Sequence, residues 1–303
     1  MRRALGFAFY LVVALFLFFY AQTLDFSSLE GVSLNVGFLL IATVLALGVR
    51  FWFSRIWAFF LTSLGVELSK QDRKELDLVY AKAWLGRYVP GSLVWVAGKV
   101  YFASKLGISK TKLAVSSYLE ALIQLATTLF LAVLLIVLDP ITRELAAQAF
   151  WLLILLLALG AIALIPRVLA WYAGLGYKLL KKAPLDPGSI PSARVILQGS
   201  LRFTLSALVA GLAFYFVLLA VAPQLGLKNL VYVLALTAIA NALSMVAVFA
   251  PAGVGVREGV LIAGLALIID PSVALIAALL MRVMSIVWDG LFFAVAKALQ
   301  AAK

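Results

Sequence analysis

Apolar residues run along this chain in long stretches, and the places where they stop define its organisation. Stretches at about 4–21, 34–53, 113–138, 149–165, 203–222, 230–250 and 271–297 each come close to the roughly 17–25 residues that a helix needs to cross ~30 Å of hydrocarbon. The period-two alternation of a membrane β-barrel strand is absent from them. Lipid offers backbone N–H and C=O groups no partners, so helices are the spanning solution left. The first stretch follows Arg2 and Arg3, lacks a clear small-x-small cleavage site, and reads as a spanning helix rather than a cleaved signal peptide. The second reads as ending near Phe53, with an interfacial helix continuing through Leu68.

Two shorter apolar pieces break the pattern. Ala83 to Ala103 is interrupted at Pro90-Gly91, and a second piece, to Ile269, opens with Pro251-Ala-Gly-Val-Gly-Val-Arg-Glu-Gly259. Each is too interrupted for a comfortable span and too apolar for a surface loop, so both read as re-entrant. The expected fold class is all-α: one polytopic transmembrane domain over 1–303, with about seven or eight transmembrane helices. The two Pro-Gly-broken segments belong to a weak internal repeat with halves near 1–140 and 166–303.

The repeat rests on an offset of 161 residues between Pro90 and Pro251. The same offset sets Glu120 opposite Met281, Gln124 opposite Ser285 and Thr128 opposite Asp289. Ser116, Glu120, Gln124 and Thr127 form one helical stripe, and Arg282, Ser285 and Asp289 form another. Interrupted segments at matching places in two halves point to a transporter's substrate site. The count of apolar stretches makes the two repeats parallel.

Charge sets the expected topology. Eleven Lys/Arg fall between Arg50 and Lys112, and six more between Arg167 and Arg202. With Arg2 and Arg3, all lie on one side if the N-terminus is cytoplasmic, against Arg143 and Lys228 opposite. That bias predicts a multi-pass protein of an inner or plasma membrane. Seven crossings leave Lys297 and Lys303 on the wrong side, which is the weak point of this topology.

Composition agrees and also excludes. Hydrophobic residues make up 65% and charged residues 13%, about half the charged fraction of a soluble domain. With no His and no Cys, disulfides, thiolate chemistry, His-based triads and the usual zinc sites are ruled out. The net charge of +12 is read as basic residues facing anionic headgroups, not nucleic acid. Gly253 to Gly259 is only superficially like a nucleotide fingerprint, because the strand and βαβ context are missing. No metal or cofactor is expected.

A half-helix that begins inside protein exposes uncapped N–H groups and the positive end of its dipole, a place for an anion. Ser92, Trp95 and Lys99 share one helical side beyond the first break; Arg87 precedes it, and Arg257 and Glu258 sit in the second. Plainer readings stand beside these. Arg87 and Lys99 fit snorkelling side chains, Trp95 an interfacial anchor, Arg257 and Glu258 a loop-closing pair, and Glu120 a carboxylate buried against Arg282.

Arg87-Tyr-Val-Pro-Gly-Ser-Leu-Val-Trp95 resembles the Y-[IV]-P-G-x-x-W segment of the lysylphosphatidylglycerol synthase transmembrane-region family. Pro251-Ala-Gly-Val-Gly-Val-Arg-Glu-Gly259 resembles its P-G-G-x-G-x-R-E-G segment, and Arg282 matches an arginine common in its last helix. Position 121 is alanine where the family often has arginine after glutamate. The resemblance spans nearly the whole chain. It implies a flippase-like transporter that moves an anionic phospholipid or polyprenyl-linked lipid between leaflets. The substrate-binding set it implies, together with the residues above, is Arg87, Tyr88, Pro90, Gly91, Ser92, Trp95, Lys99, Glu120, Gln124, Pro251, Gly253, Gly255, Arg257, Glu258, Arg282 and Asp289. Of these, Arg87, Lys99, Arg257 and Arg282 would hold the anion, while Glu120, Glu258 and Asp289 would balance charge or carry protons. No soluble acyltransferase domain lies within 1–303, so lysyl transfer is not expected of this chain alone. Two other readings remain open: a membrane-embedded headgroup transferase with Glu120 or Asp289 as base, and a scaffold without transport. A homo-oligomer is compatible with all three.

Overall fold

The computed structural model describes residues 34–88, 94–142, 150–165, 167–168, 171, 191–247 and 253–302. The first expected span, and Pro90, Gly91, Ser92 and Pro251, lie outside them. The described residues form nine α-helices and no strand: α1 (Val36–Ser63), α2 (Lys70–Leu85), α3 (Val94–Ser104), α4 (Lys110–Leu138), α5 (Phe150–Ala163), α6 (Ala193–Val221), α7 (Leu230–Val246), α8 (Val256–Leu265) and α9 (Pro271–Ala301). Among the described residues, five segments are long and apolar enough to cross a membrane: α1, α4, α6, α9, and α7 with the short turn before it. The chain is thus an all-α polytopic membrane protein.

Local chemistry marks the helix ends. The Asn35 side chain accepts from Gly37 N at 3.0 Å, starting α1. Ser69 and Asp72 form a reciprocal capping box at the start of α2. Asp270 accepts from Ser272 N at 2.8 Å with Pro271 in the first turn of α9. α1 does not stop at Phe53. It continues through Ser63 as one helix of 28 residues, about 42 Å long at 1.5 Å per residue. Arg50, which sequence assigns to a basic connector, therefore sits in the middle of a spanning helix. α6 likewise begins ten residues before the expected Phe203, at Ala193.

α2 and α3 form one antiparallel hairpin. A Cβ built on Gly98 would lie 3.3 Å from Ala83, and the Lys82 ammonium lies over the Phe102 ring. α7 and α8 form the other, in which Tyr232 OH at the start of α7 donates to Gly264 O at the end of α8, 2.6 Å away. In each hairpin the return arm comes back to the end where the first arm began. Their arms of 16 and 11 residues and of 17 and 10 residues are too short to cross twice; the longest measures only about 25 Å.

This geometry corrects the sequence reading. The stretch at 230–250 looks like a span, but its chain returns as α8, so α9 starts from the same end at which α7 started. The repeats are inverted, not parallel. α1 and α6 pack antiparallel: Asn35 N donates to Ala220 O at 3.0 Å near one end, and Trp52 Nε1 to Arg202 O at 3.3 Å farther along. Shifted by 161 residues, α2, α3 and α4 fall within two residues of the boundaries of α7, α8 and α9. The pairing is reciprocal, since α2 packs on α9 and α7 packs on α4. With α7 folding back, Lys297 and the end of α9 join Lys70, Lys110 and Arg194 at one end of the bundle, where Lys74 Nζ reaches Ala302 O at 3.2 Å.

Candidate functional site

Asp289 lies in the middle of α9, fully buried, and gathers groups from three other places in the chain. Arg50 of α1 donates through Nε to Oδ1 at 2.7 Å and brings Nη2 within 2.6 Å of the same oxygen as an ion pair, with Trp84 Nε1 donating to it at 3.1 Å. Tyr88 OH donates to Oδ2 at 2.6 Å, and Arg87 NH2 approaches it at 3.4 Å. The Arg87 guanidinium also lies 4.6 Å from the centre of the Trp84 ring, and that of Arg50 lies 5.4 Å from the Trp288 ring. Asp289 thus ties the inner end of the first hairpin to both α1 and α9.

The second hairpin arrives from the other end of the bundle. Gly253 and Gly255 hold φ of 67° and 83°, the left-handed region that other residues enter at a cost. A Cβ at Gly253 would also meet Ser244 Oγ at 2.7 Å. These glycines turn the chain into α8, where Glu258 Oε2 caps Gly255 N at 2.7 Å and Oε1 faces Arg282 NH1 at 3.6 Å. Arg257, one residue earlier, points elsewhere. It lines a cavity of about 1020 Å³ together with Arg50, Arg87, Trp95, Gln124 and Gly253. Asn241, Ser244, Thr128 and Ser206 add neutral polar groups, and Ala97, Ala121, Ala207 and Ala210 add small apolar wall. The cavity reaches Tyr101, Lys110 and Thr111, which are exposed at the basic end of the bundle. No carboxylate lines it among the described residues.

Lys99 and Glu120 are placed elsewhere. Both are fully buried, directly paired, and absent from the cavity wall. Glu120 also accepts from Tyr80 OH at 2.7 Å. The Lys99 ammonium sits 4.3 Å from the Trp95 ring and 5.1 Å from each of the Trp57 and Tyr80 rings. The pair fastens α3 to α4 beneath the first hairpin. The partner of Glu120 is therefore Lys99, and Arg282 belongs to Glu258. Each return arm is bolted to the long helix after it by one ion pair, with the signs exchanged: Lys99 to Glu120 from α3 to α4, Glu258 to Arg282 from α8 to α9.

Of the residues singled out in the sequence, Arg87, Trp95, Gln124, Gly253 and Arg257 line one cavity. Tyr88, Glu258, Arg282 and Asp289 stand behind its cationic groups, and Gly255 shapes the turn. Lys99 and Glu120 do not reach the cavity. Sequence reasoning missed Arg50, Trp84, Asn241 and Ser244. For Arg50 the signal was present: had the helix been carried unbroken past Phe53, the arginine would have fallen at membrane depth. Asn241 and Ser244 gave no signal, because a single amide or hydroxyl is tolerated in any apolar helix.

Chemically, the cavity offers guanidinium forks and neutral donors at its inner end and apolar wall along its flank, which suits an anionic head with a hydrocarbon tail. Among the described residues, no three His, Cys, Asp or Glu side chains come together to hold a metal ion. Residues 4–291 match the family model described as Lysylphosphatidylglycerol synthase TM region. No curated protein matches the chain.

Proposed function

Because the chain belongs to the lysylphosphatidylglycerol synthase TM-region family, we propose that it is a flippase-like transporter of an anionic phospholipid or polyprenyl-linked lipid. The observation that carries this reading is the cavity itself. Its arginines come from both halves of an inverted repeat, Arg50 and Arg87 from the first and Arg257 from the second. Binding energy for the headgroup is concentrated at membrane depth, where an unpaired charge is costly and an ion pair correspondingly strong.

The cavity reaches the basic end of the bundle, which the positive-inside bias assigns to the cytoplasm. A headgroup would enter between α3 and α4, past Tyr101 and Lys110, while its tails stay in lipid. Inverted repeats supply a route to the other leaflet. If the hairpins exchange conformations, the path along α3 and α4 closes and the matching path along α8 and α9 opens. Lys99–Glu120 and Glu258–Arg282 act as positioning pairs that move each return arm with its long helix. Neither Glu120 nor Asp289 suits the role of a general base in a transferase, because cations and hydrogen-bond donors already occupy both carboxylates.

The test is reconstitution of the full chain in liposomes that carry a fluorescent anionic lipid, with chemical quenching of the outer leaflet. Protein should make the protected fraction accessible, and Arg257→Ala should slow that movement by about tenfold or more, the value of a charge-assisted hydrogen bond. Rates no faster than in protein-free liposomes refute transport. Equal rates for wild type and Arg257→Ala discard this cavity as the path.

A further inference from the structure

Charge balance at the inner end of the cavity narrows the class of headgroup, taking the transport reading as its starting point. Four arginines meet two carboxylates there. Arg50 and Arg87 share Asp289, at 2.6 and 3.4 Å, and Arg282 is held by Glu258 at 3.6 Å. Arg257 lies within electrostatic reach of Arg50, Arg87, Arg282 and Glu258, yet forms no ion pair with a described residue. Lys99 and Glu120, buried together under the first hairpin, cancel each other, and Lys110 lies at the basic end of the cavity. Residues 89–93 and 248–252 contain no charged residue in the sequence. Among the described residues, the inner end therefore carries an excess of two positive charges.

Donor geometry agrees with the count. Arg87 and Arg257 both line the cavity, and in each the Nε–H is buried without an acceptor among the described residues. Arg87 is held by Asp289 through one long contact only, which leaves most of its fork available. Asn241 and Gln124 in the cavity wall can donate to further oxygens, whereas the Ser244 hydroxyl already donates to Ala240 O at 2.7 Å. A monoanion in this place would leave one buried cation uncompensated, and that is expensive away from water.

We propose that the inner end of the cavity binds a phosphate headgroup carrying two negative charges, a phosphomonoester or a diphosphate, in preference to a monoanionic phosphodiester. Arg87 and Arg257 grip it from opposite hairpins, so the bound dianion bridges the two repeats. Arg50 stays on Asp289 and supplies field rather than contact.

The experiment measures binding of dioleoyl phosphatidic acid and dioleoyl phosphatidylglycerol to the purified full chain in detergent, by calorimetry. The two share acyl chains and differ in headgroup charge. Near neutral pH the phosphomonoester should bind about tenfold or more tighter, the difference that one buried charge-assisted contact makes. Its advantage should vanish near pH 5, because a phosphomonoester takes up its second proton with a pKa of about 6 and becomes a monoanion. The charged groups around the cavity are Arg50 from α1, Arg87 after α2, Arg257 and Glu258 from α8, Arg282 and Asp289 from α9, and Lys110 from α4 at the basic end; Tyr88 after α2, Tyr101 of α3 and Tyr118 of α4 are the titratable hydroxyls, and α6 and α7 present only neutral groups. Arg257→Gln should erase most of the preference, and Arg257→Lys, which keeps the charge without the fork, should retain part of it. Equal affinity for the two lipids near neutral pH overturns the proposal. If phosphatidylglycerol is then still moved in liposomes, the transport reading survives without it. If inorganic phosphate displaces phosphatidic acid at comparable concentration, the dianion site stands, its source is a free phosphate, and the transport reading fails instead.

Discussion

Replacing one member of the Lys99–Glu120 pair should destabilise the protein far more than replacing both. The two side chains are fully buried and paired with each other, so a single substitution leaves a charge in a dry interior. Breaking such a pair costs about 3–5 kcal/mol, whereas exchanging both partners for apolar residues of similar volume is often neutral. The surroundings decide where each variant falls within that range. In Glu120→Gln the ammonium keeps its box of Trp57, Tyr80 and Trp95, each desolvated ring contributing about 0.5–2 kcal/mol. The cost should then sit near 3 kcal/mol, the lower end of the range for a broken buried pair. In Lys99→Met the carboxylate keeps only the hydroxyl of Tyr80, and the cost should approach 5 kcal/mol, the upper end. Lys99→Met combined with Glu120→Leu should return to within about 1–2 kcal/mol of wild type. The assay is equilibrium unfolding in mixed micelles with rising denaturing detergent, followed by tryptophan fluorescence, since Trp57 and Trp95 flank the pair. If the double variant is as unstable as the sum of the two singles, the charges are not coupled, and the account of how the first hairpin is held is wrong.

The inverted arrangement predicts that cysteines placed at Asn35 and Ala220 cross-link readily, and the chain has no native cysteine to confuse the result. No cross-link under oxidising conditions would contradict the antiparallel packing of α1 on α6. Lys110→Cys and Lys228→Cys should be labelled from opposite faces of sealed vesicles by an impermeant maleimide; labelling from the same face refutes the topology. Gly253→Val should cut lipid movement strongly, because φ of 67° and the approach to Ser244 both oppose a side chain; wild-type rates would show that this turn tolerates Cβ. At the start of α2, the Ser69 side chain and then the Ser69 backbone N–H hold the Asp72 carboxyl below the usual range. Its contribution to helix capping is therefore present above the unfolded-state value near 4 and is lost as pH falls through the lower folded value. Protection of the residue-69 amide, which donates to the Asp72 carboxylate at 2.8 Å, should fall only in that acid range relative to its intrinsic exchange rate, and Ser69→Ala should move the fall to higher pH. An unchanged exchange profile in Ser69→Ala would remove the capping box from the explanation.

The composition and spacing of the chain were enough to establish much of this molecule. Uninterrupted apolar stretches leave helices as the spanning element, because lipid cannot satisfy an open backbone. Pro90-Gly91 and Pro251 to Gly259 mark the two interruptions, and an offset of 161 residues aligns them. The same marks pointed to Arg87, Trp95 and Arg257, which do line one cavity. The direction of travel was not legible. Hydropathy is a property of a segment and carries no sign, so an apolar arm of 17 residues that turns back scores as a span. Only the hydrogen bond from Tyr232 to Gly264, and the packing it represents, reverses α9 and inverts the repeat. Ion-pair partners were hidden for a related reason. A periodic stripe places Glu120 on a polar face of α4, but which cation meets that face depends on how α3 is folded against it. Arg50 was hidden by a boundary, since an end expected near Phe53 put it in the last turn of the span, whereas α1 continues ten residues farther to Ser63. Sequence set which segments are buried in lipid and where they break; tertiary packing set which way they run and which charges are left over.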